Sequence, residues 1–382
     1  MLVGYEEFDA RLLGNTQVVS WLSCRDEDIC WDTFLRATKC GQFQQSTMWA
    51  RAKITEGWAP LRVVISLHDE IIGGFQILRR SSWWGGIGYV SKGPVVIPGR
   101  IGLAEYAIDL LLKVSRKARL RAVIVQPPDL CREMTSSLMA QGFLPNVLNK
   151  VNDATWLVNL RDGFESVASR MSRNTRQYVK QAQRSGITIR EGGRADLPEF
   201  LSLMRTTCLR QGAKPSPNDV KFLLGLWDAA QPVEGIKLFI AEHEQRPVSG
   251  LVCIPFGRTV SAWKKGWNFT DRSFHPNELL MYESLKWACR EGYEDLDFTA
   301  FDKHMALAIL EGAPVSTQGQ QSRHFFNTRF GGRPQLLPPA MIYCPNPIGR
   351  LAYRALFRSK IRQADEDRRV DAAAQICPSP VA

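Results

Sequence analysis

Five cations follow one another at intervals of three or four residues: Arg170, Arg173, Arg176, Lys180 and Arg184. On a helix that spacing draws them along one stripe. Like charges so placed repel unless an anion or a carboxylate lies opposite, which leaves two readings. The stripe binds a polyanion such as the phosphate backbone of RNA, or it is the solvated face of a linker helix, neutralised by carboxylates of either flanking domain. A second group is acidic. Asp295, Asp297 and Asp302 bracket the end of a short β-rich run, where alternation sets Asp295 and Asp297 on one face and Phe298 on the other. A carboxylate there either takes a proton from an amine nucleophile or satisfies backbone N–H groups at the strand end. The nine cysteines and five histidines show neither a CxxC nor ligand spacing, so inert thiols and no metal are expected. A Gly-x-Ser-x-Gly elbow, a P-loop and a complete Gly-x-Gly-x-x-Gly fingerprint are all missing from the sequence.

The elements that must position these residues occur twice. Leu61–Leu67 is a β-rich run, followed by an acidic turn at Asp69-Glu70, a strand Ile71–Arg80 carrying Gly73-Gly74, and a third strand over Ile87–Val96. Apolar positions at Ala104, Ala107, Ile108, Leu111 and Leu112 then keep a helical period, and Ala122–Val125 closes the unit. The second half repeats the order: Ile236–Ala241, a polar turn at Glu244-Gln245, Val248–Pro255 with Gly250, Thr259–Trp267, a helix from Asn277 to Glu291 and a strand Asp295–Thr299. Leu61 stands to Ile236 as Gly74 stands to Gly250, an offset of about 175 residues in both pairs, which favours an internal duplication over the general likeness of any two α/β halves. The fold class expected is α/β (α+β): two tandem domains like those of the GNAT acyltransferases, each a mixed twisted sheet flanked by helices. The CoA-using members of that class bind pyrophosphate on a glycine-rich loop ahead of the helix. Neither Lys92–Arg100 nor Phe269–Asn277 supplies such a loop. CoA is therefore not expected as donor, and no cofactor is inferred.

Several motifs carry a family resemblance in order. They are Gln44-Gln45-Ser46-x-x-Trp49-x-x-x-Lys53 with Gly57-Trp58, Gly73-Gly74, and Gly88-Tyr89 through Gly93-Pro94. Arg173 and Arg176, Pro276 through Leu280 with Trp287-Ala288, and Phe326 through Phe330-Gly331-Gly332 complete the series. Over residues 25–345 the chain resembles the Fem ligases, tRNA-dependent aminoacyltransferases of peptidoglycan cross-bridges, and their BioF-like acyltransferase relatives. The resemblance implies tandem GNAT-like domains, aminoacyl-tRNA as donor, and a UDP- or lipid-linked precursor such as a muropeptide as acceptor, with peripheral contact to the membrane. It implies that Lys53 contacts the acceptor phosphates, although a solvated helix lysine is an equal reading. Arg210 is a second candidate for those phosphates, and Tyr89 lines the acceptor cleft or simply packs the core. The family's oxyanion lysine lies in a Phe-Lys-x-x-Phe-Gly segment. Here Asn327 takes its place, with Arg329 two residues on as the charged alternative and Asp302 as the candidate base. Only about 25 residues separate Leu209 from Val233, so the long helical hairpin of some relatives does not fit. Two alternatives stay open: an N-acyltransferase of exopolysaccharide or small-molecule synthesis, and a binding protein that kept the fold without the chemistry.

The 382 residues suit two domains, and 45% hydrophobic content is enough for a core in each. The expected division is 1–160 for the acceptor-side domain, 161–190 for a junction helix, 191–345 for the donor-side domain, and 346–382 for a C-terminal helix and disordered tail. Apolar runs are short and the first residues lack a basic leader, so a cytoplasmic protein is expected. The net charge of +11 favours anionic partners without proving any.

Overall fold

The computed structural model describes residues 4–81, 85–149, 151–269 and 271–376. The chain divides into two compact units, one of residues 1–151 with 337–378 and one centred on 152–336.

The first unit is built on a nine-stranded sheet. Its spatial order runs Tyr5–Leu13, Thr16–Ser23, Ala59–Leu67, Glu70–Arg80, Gly86–Ser91, Leu120–Gln126, Met341–Tyr343 and Leu144–Pro145, with Val95–Val96 beside Glu70–Arg80. Helix Leu103–Lys117 lays Leu103, Tyr106, Ala107, Leu110 and Leu111 on Val63, Ile65, Phe75 and Ile77, all buried. Alternation along the strands and the helical period thus meet in one core.

The first family motif is structural in this unit. Ser46 caps helix Thr47–Ile54, and Trp49 packs edge-on against Phe43. The side chain of Gln45 is fully buried, where its Oε1 accepts from the Gln76 amide at 2.7 Å and its Nε2 donates to the Ser91 carbonyl at 2.7 Å. Below it lies a buried ion pair, Arg62 with Asp28, at 3.6 Å. Arg62 also donates to Gln76 Oε1, and Asp28 accepts from Tyr5, Ser23 and the Trp31 amide. Cys40 and Cys131, unrelated by any sequence pattern, are brought together with their sulfurs 2.6 Å apart.

The second unit is a seven-stranded sheet in the order Thr188–Gly192, Lys237–His243, Arg246–Phe256, Thr259–Trp267, Asp295–Asp297, Ala154–Asn159 and Arg333–Leu336. Helix Pro276–Arg290 covers one face through Leu279, Leu280, Leu285 and Ala288. The duplication is visible in detail. The first hairpin turns through His68 and Asp69 and the second through Glu244 and Gln245, all four at positive φ. Each hairpin carries a bulge just before its turn, at Ile65/Ser66 and at Ala241/Glu242. Between Leu209 and Val233 stand the helix Val220–Ala230 and a short helical turn at Gln231–Val233, with no long hairpin, so this is an armless member of the fold.

Four expectations change. The strand read at Thr155–Leu160 as the end of the first domain pairs with Asp295–Asp297 and Arg333–Leu336, and so belongs to the second sheet. Met341–Tyr343, assigned to the second domain, pairs with Leu120–Gln126 in the first. The single junction helix is two, Gly163–Arg170 and Arg173–Arg184, because Met171 turns extended and ends the first and Ser172 caps the second. The C-terminal segment is helical over Pro347–Leu356 and Arg358–Ile376, so the tail expected to be disordered after Arg362 is helical as far as Ile376, and its remainder lies outside the described residues.

Candidate active site

The two sheets differ in their parallel ladders. Each contains a single parallel pair of neighbouring strands among the described residues. In the first unit, Gly86–Ser91 and Leu120–Gln126 pair along their full length, ending at Ser91 and Gln126. In the second, Thr259–Trp267 pairs with Asp295–Asp297 for three residues only, and the ladder stops at Ser261 and Asp297. Beyond that point the shorter strand's chain stays with Ala154–Asn159, its Phe298 and Phe301 amides donating to the carbonyls of Trp156 and Ala154. The longer strand stays with its hairpin partner out to Trp267. The Thr299 hydroxyl still reaches the Ala262 carbonyl at 3.4 Å, and past that bridge the two strands part in a wedge.

Lys265 lies on the strand that borders this wedge. Its Nζ is 3.9 Å from the centre of the Phe326 ring, a contact in which the ring face attracts the cation. Burial pushes the Lys265 ammonium down to about 8, and the Glu278 carboxylate partly opposes that shift. Nothing in the sequence pattern separates Lys265 from Lys264; the one usable signal is a lysine pair inside an otherwise aromatic strand, Trp263 through Trp267.

Glu278 sits in the first turn of helix Pro276–Arg290 and is almost fully buried. Pro276 removes one N–H from that helix end. Asn277 is buried with its Oδ1 2.8 Å from the Ser249 hydroxyl. The preceding His275 is covered by Tyr178, with the rings stacked at 3.9 Å and 14°. Where a glycine loop would offer free amides to a diphosphate, this helix presents an imino acid, a carboxylate and a stacked imidazole.

Phe326 holds the segment that carries Asn327 and Arg329. It packs at 5.1 Å on Phe330, which is completely buried and lies 6.0 Å from Phe298. Gly332 completes the anchor: its φ is +94°, and a Cβ there would come within 2.2 Å of the Leu157 carbonyl oxygen. The Trp156 indole donates to the Gly331 carbonyl at 2.7 Å. Asn327 and Arg329 are thereby set, half-buried, on a short helical turn, with Arg329 5.7 Å over Phe325.

Asp302 caps helix Lys303–Leu310, accepting from the Met305 amide at 2.8 Å. Asp297 is likewise engaged, by the Thr155 hydroxyl and the Thr299 amide. Burial raises the Asp295 carboxyl, while Arg161 draws it back. His324, absent from the residues singled out by sequence, packs edge-on to Phe301 at 6.0 Å. Burial and Arg323 hold its imidazole below the ordinary value, so it stands neutral and able to take a proton.

The cation stripe divides. Arg170 donates to the Asn159 carbonyl at 2.6 Å and meets Asp162 at 3.5 Å. Arg176 closes the end of the preceding helix, donating to the carbonyls of Ser169 and Met171 at 2.8 and 2.7 Å. Both work as internal ties. Arg173, Lys180 and Arg184 remain exposed on one face of helix Arg173–Arg184, with no ion-pair partner among the described residues.

Lys53, in the first unit, pairs with Glu56 at 2.7 Å and lies 5.0 Å over Trp49. Tyr89 packs in a small apolar cluster with Ile124, Ile342 and Tyr353, and burial raises its phenol, which favours the core reading. Arg210 belongs to the second unit and stacks 4.1 Å over Phe269.

Comparison with known proteins agrees with this architecture. The family model of an acetyltransferase (GNAT) domain matches residues 169–304. A lipid II:glycine glycyltransferase of Staphylococcus saprophyticus is 25% identical over 229 residues, covering 57% of this chain and 55% of its own. The corresponding Staphylococcus aureus (strain MRSA252) protein is 23% identical over 313 residues, 77% of this chain and 73% of its own. The chain thus spans about half the length of the first of these relatives. Among solved structures, FemX superposes with a TM-score of 0.70 at 18% identity over 84% of this chain and 96% of its own. A tandem GNAT protein from the clavulanic acid pathway gives 0.51 at 10% identity, over 83% and 94%. The chain is similar in sequence to these glycyltransferases, and its fold is that of FemX and of the tandem GNAT protein.

Proposed function

We propose, from this kinship with the Fem glycyltransferases, that the chain is an acyltransferase. It moves an aminoacyl group from charged tRNA to an amine of a lipid- or nucleotide-linked cell-wall precursor. The observation that carries the reading is the wedge in the second sheet beside Lys265, set against the fully paired strands of the first. Strands that part in this way expose a pocket edge to an acyl group; strands paired to their ends do not.

In the reaction the acceptor amine attacks the ester carbonyl, forming the C–N bond while the carbonyl oxygen gains negative charge. The tetrahedral centre then collapses, the C–O bond to the ribose breaks, and the proton shed by the amine ends on the ribose oxygen. Positioning supplies much of the rate. Lys265 supplies the charge that Asn327 lacks, the Asn327 amide adds a hydrogen bond to the oxyanion, and neutral His324 carries the proton. Glu278 and the stacked His275 disfavour a diphosphate at the helix end, which argues against CoA. Arg173, Lys180 and Arg184 meet the tRNA backbone, and Lys53, released from Glu56, meets the acceptor phosphates in the first unit.

The test is a donor comparison using the purified chain, with lipid II and a UDP-linked muropeptide as acceptors. Transfer from aminoacyl-tRNA and none from acetyl-CoA is expected. Acylation by an acyl-CoA alone would overturn the donor and make the chain a BioF-like N-acyltransferase. Binding of the UDP-muropeptide without transfer from any donor would leave a binding protein.

A further inference from the structure

The strongest feature outside the wedge is the helix Pro347–Leu356 of the first unit. Its inner face is fixed. Tyr353 is buried, donates to the Pro145 carbonyl at 2.9 Å and accepts from the Val147 amide at 3.0 Å. Arg350 turns inward too, reaching the Tyr343 hydroxyl at 2.8 Å and the Cys344 carbonyl at 3.2 Å. The outer face carries what a folded core would take in. Ile348 is 78% exposed, Leu351 70% and Leu356 78%. With exposed Ala352 and Ala355 they share one side of the helix, since residues three, four and seven apart line up.

Charge frames this stripe. From Cys344 to Ala364 the sequence contains Arg350, Arg354, Arg358, Lys360 and Arg362 and no carboxylate. Arg354, Arg358 and Lys360 are exposed and have no ion-pair partner among the described residues. Beside the helix lies an open cavity of about 510 Å³, floored by Leu144 and Ile361 and edged by Arg354, Arg358 and Arg362. Asp365 and Glu366 close its far side, and Glu366 holds Arg362 at 3.0 Å.

We propose that this helix is a membrane-surface element. It lies flat on a bilayer containing anionic phospholipid, with Ile348, Leu351 and Leu356 entering the acyl boundary and Arg354 and Arg358 taking headgroup phosphates at the cavity mouth. Exposed apolar side chains on one face with unpaired guanidinium groups at its border are complementary to that surface, whose outer layer is anionic and whose next layer is hydrocarbon. A protein partner would have to bring both a greasy groove and a row of carboxylates. The contact is independent of the transfer chemistry, so it stands or falls separately from the donor assay.

The experiment is co-flotation of the full chain with vesicles of phosphatidylcholine, with and without an equal part of phosphatidylglycerol. Binding to the mixed vesicles and none to phosphatidylcholine alone is expected. Replacing Arg354→Ser with Arg358→Ser should lower partitioning by roughly thirtyfold, the weight of two cations near an anionic surface. Ile348→Ser with Leu351→Ser should lower it by at least tenfold. All four side chains point to solvent, and an unchanged circular dichroism melt confirms that each variant is folded. Equal binding to both vesicles, or variants that partition like the parent, would overturn the proposal. So would a chain that ignores vesicles and forms a concentration-dependent dimer lost on Ile348→Ser with Leu351→Ser, because the face would then be covered by a second copy.

Discussion

The half-buried Lys265 ammonium, pushed down to about 8 by desolvation, should leave a direct signature in pH. As pH rises through about 8, Lys265 loses the charge that the oxyanion needs, so kcat/KM for aminoacyl transfer should fall there. In Lys265→Arg that limb should disappear, since arginine stays charged. In Lys265→Met the rate should drop by about 100- to 1,000-fold with little change in KM, as for removal of an oxyanion donor. Stability runs the other way. The unfolded chain holds the proton more tightly than the folded one, so between about 8 and 10.5 the folded state gains stability with rising pH. Urea titrations across that window separate the two effects: activity falls while stability climbs, and a parallel fall of both would take Lys265 out of the chemistry. Asn327 was legible in sequence as a departure from a motif, but Lys265, proposed to supply the missing charge, was not. Lys265 comes from a different strand, some sixty residues away in the chain, and only the packing on Phe326 joins them.

At the scale of elements, the helix Arg173–Arg184 keeps three solvent-facing cations in line while Arg170 and Arg176 are spent on carbonyls. Changing Arg173, Lys180 and Arg184 to Gln together should weaken tRNA binding about equally for all sequences and lower its salt slope by about two to three. Changing Arg176 to Gln should leave that slope unchanged and lower the melting temperature instead. Filter binding across a salt series reads the first effect, and a slope untouched by the triple change would assign the stripe to plain solvent. Sequence periodicity located this helix but not its break, because Ser172 caps by a local hydrogen bond that spacing of charges does not reveal. It also passed over Tyr5–Leu13, which has no buried residue, and Thr16–Ser23, where Val18 and Ser20 are buried but apolar and polar residues do not alternate along the sequence. The strand Ala154–Asn159 was recognised but given to the wrong sheet. Adjacency along the chain favours the preceding unit, whereas its partners, Asp295–Asp297 and Arg333–Leu336, lie far downstream.

Over the whole molecule, the repeat was readable because hairpin, glycine-bearing strand and helix recur at one offset with the same turn chemistry. The difference between the two parallel ladders was not, because full pairing in one sheet and an early stop in the other arise from nearly identical strand patterns. The shared turns have a consequence for how the chain comes apart. Both hairpins close through side-chain-bearing residues in the left-handed region, His68-Asp69 and Glu244-Gln245, a conformation that costs each residue about 1 kcal/mol relative to glycine. Asp69→Gly and Gln245→Gly therefore act as matched labels, one per copy, each relieving a similar strain. In a calorimetric scan, the change that lifts the earlier endotherm names the copy that melts first. If the two units melt as one, both changes raise the same peak. Inherited strain, kept in duplicate, turns into a clock that reports whether duplication left one cooperative body or two.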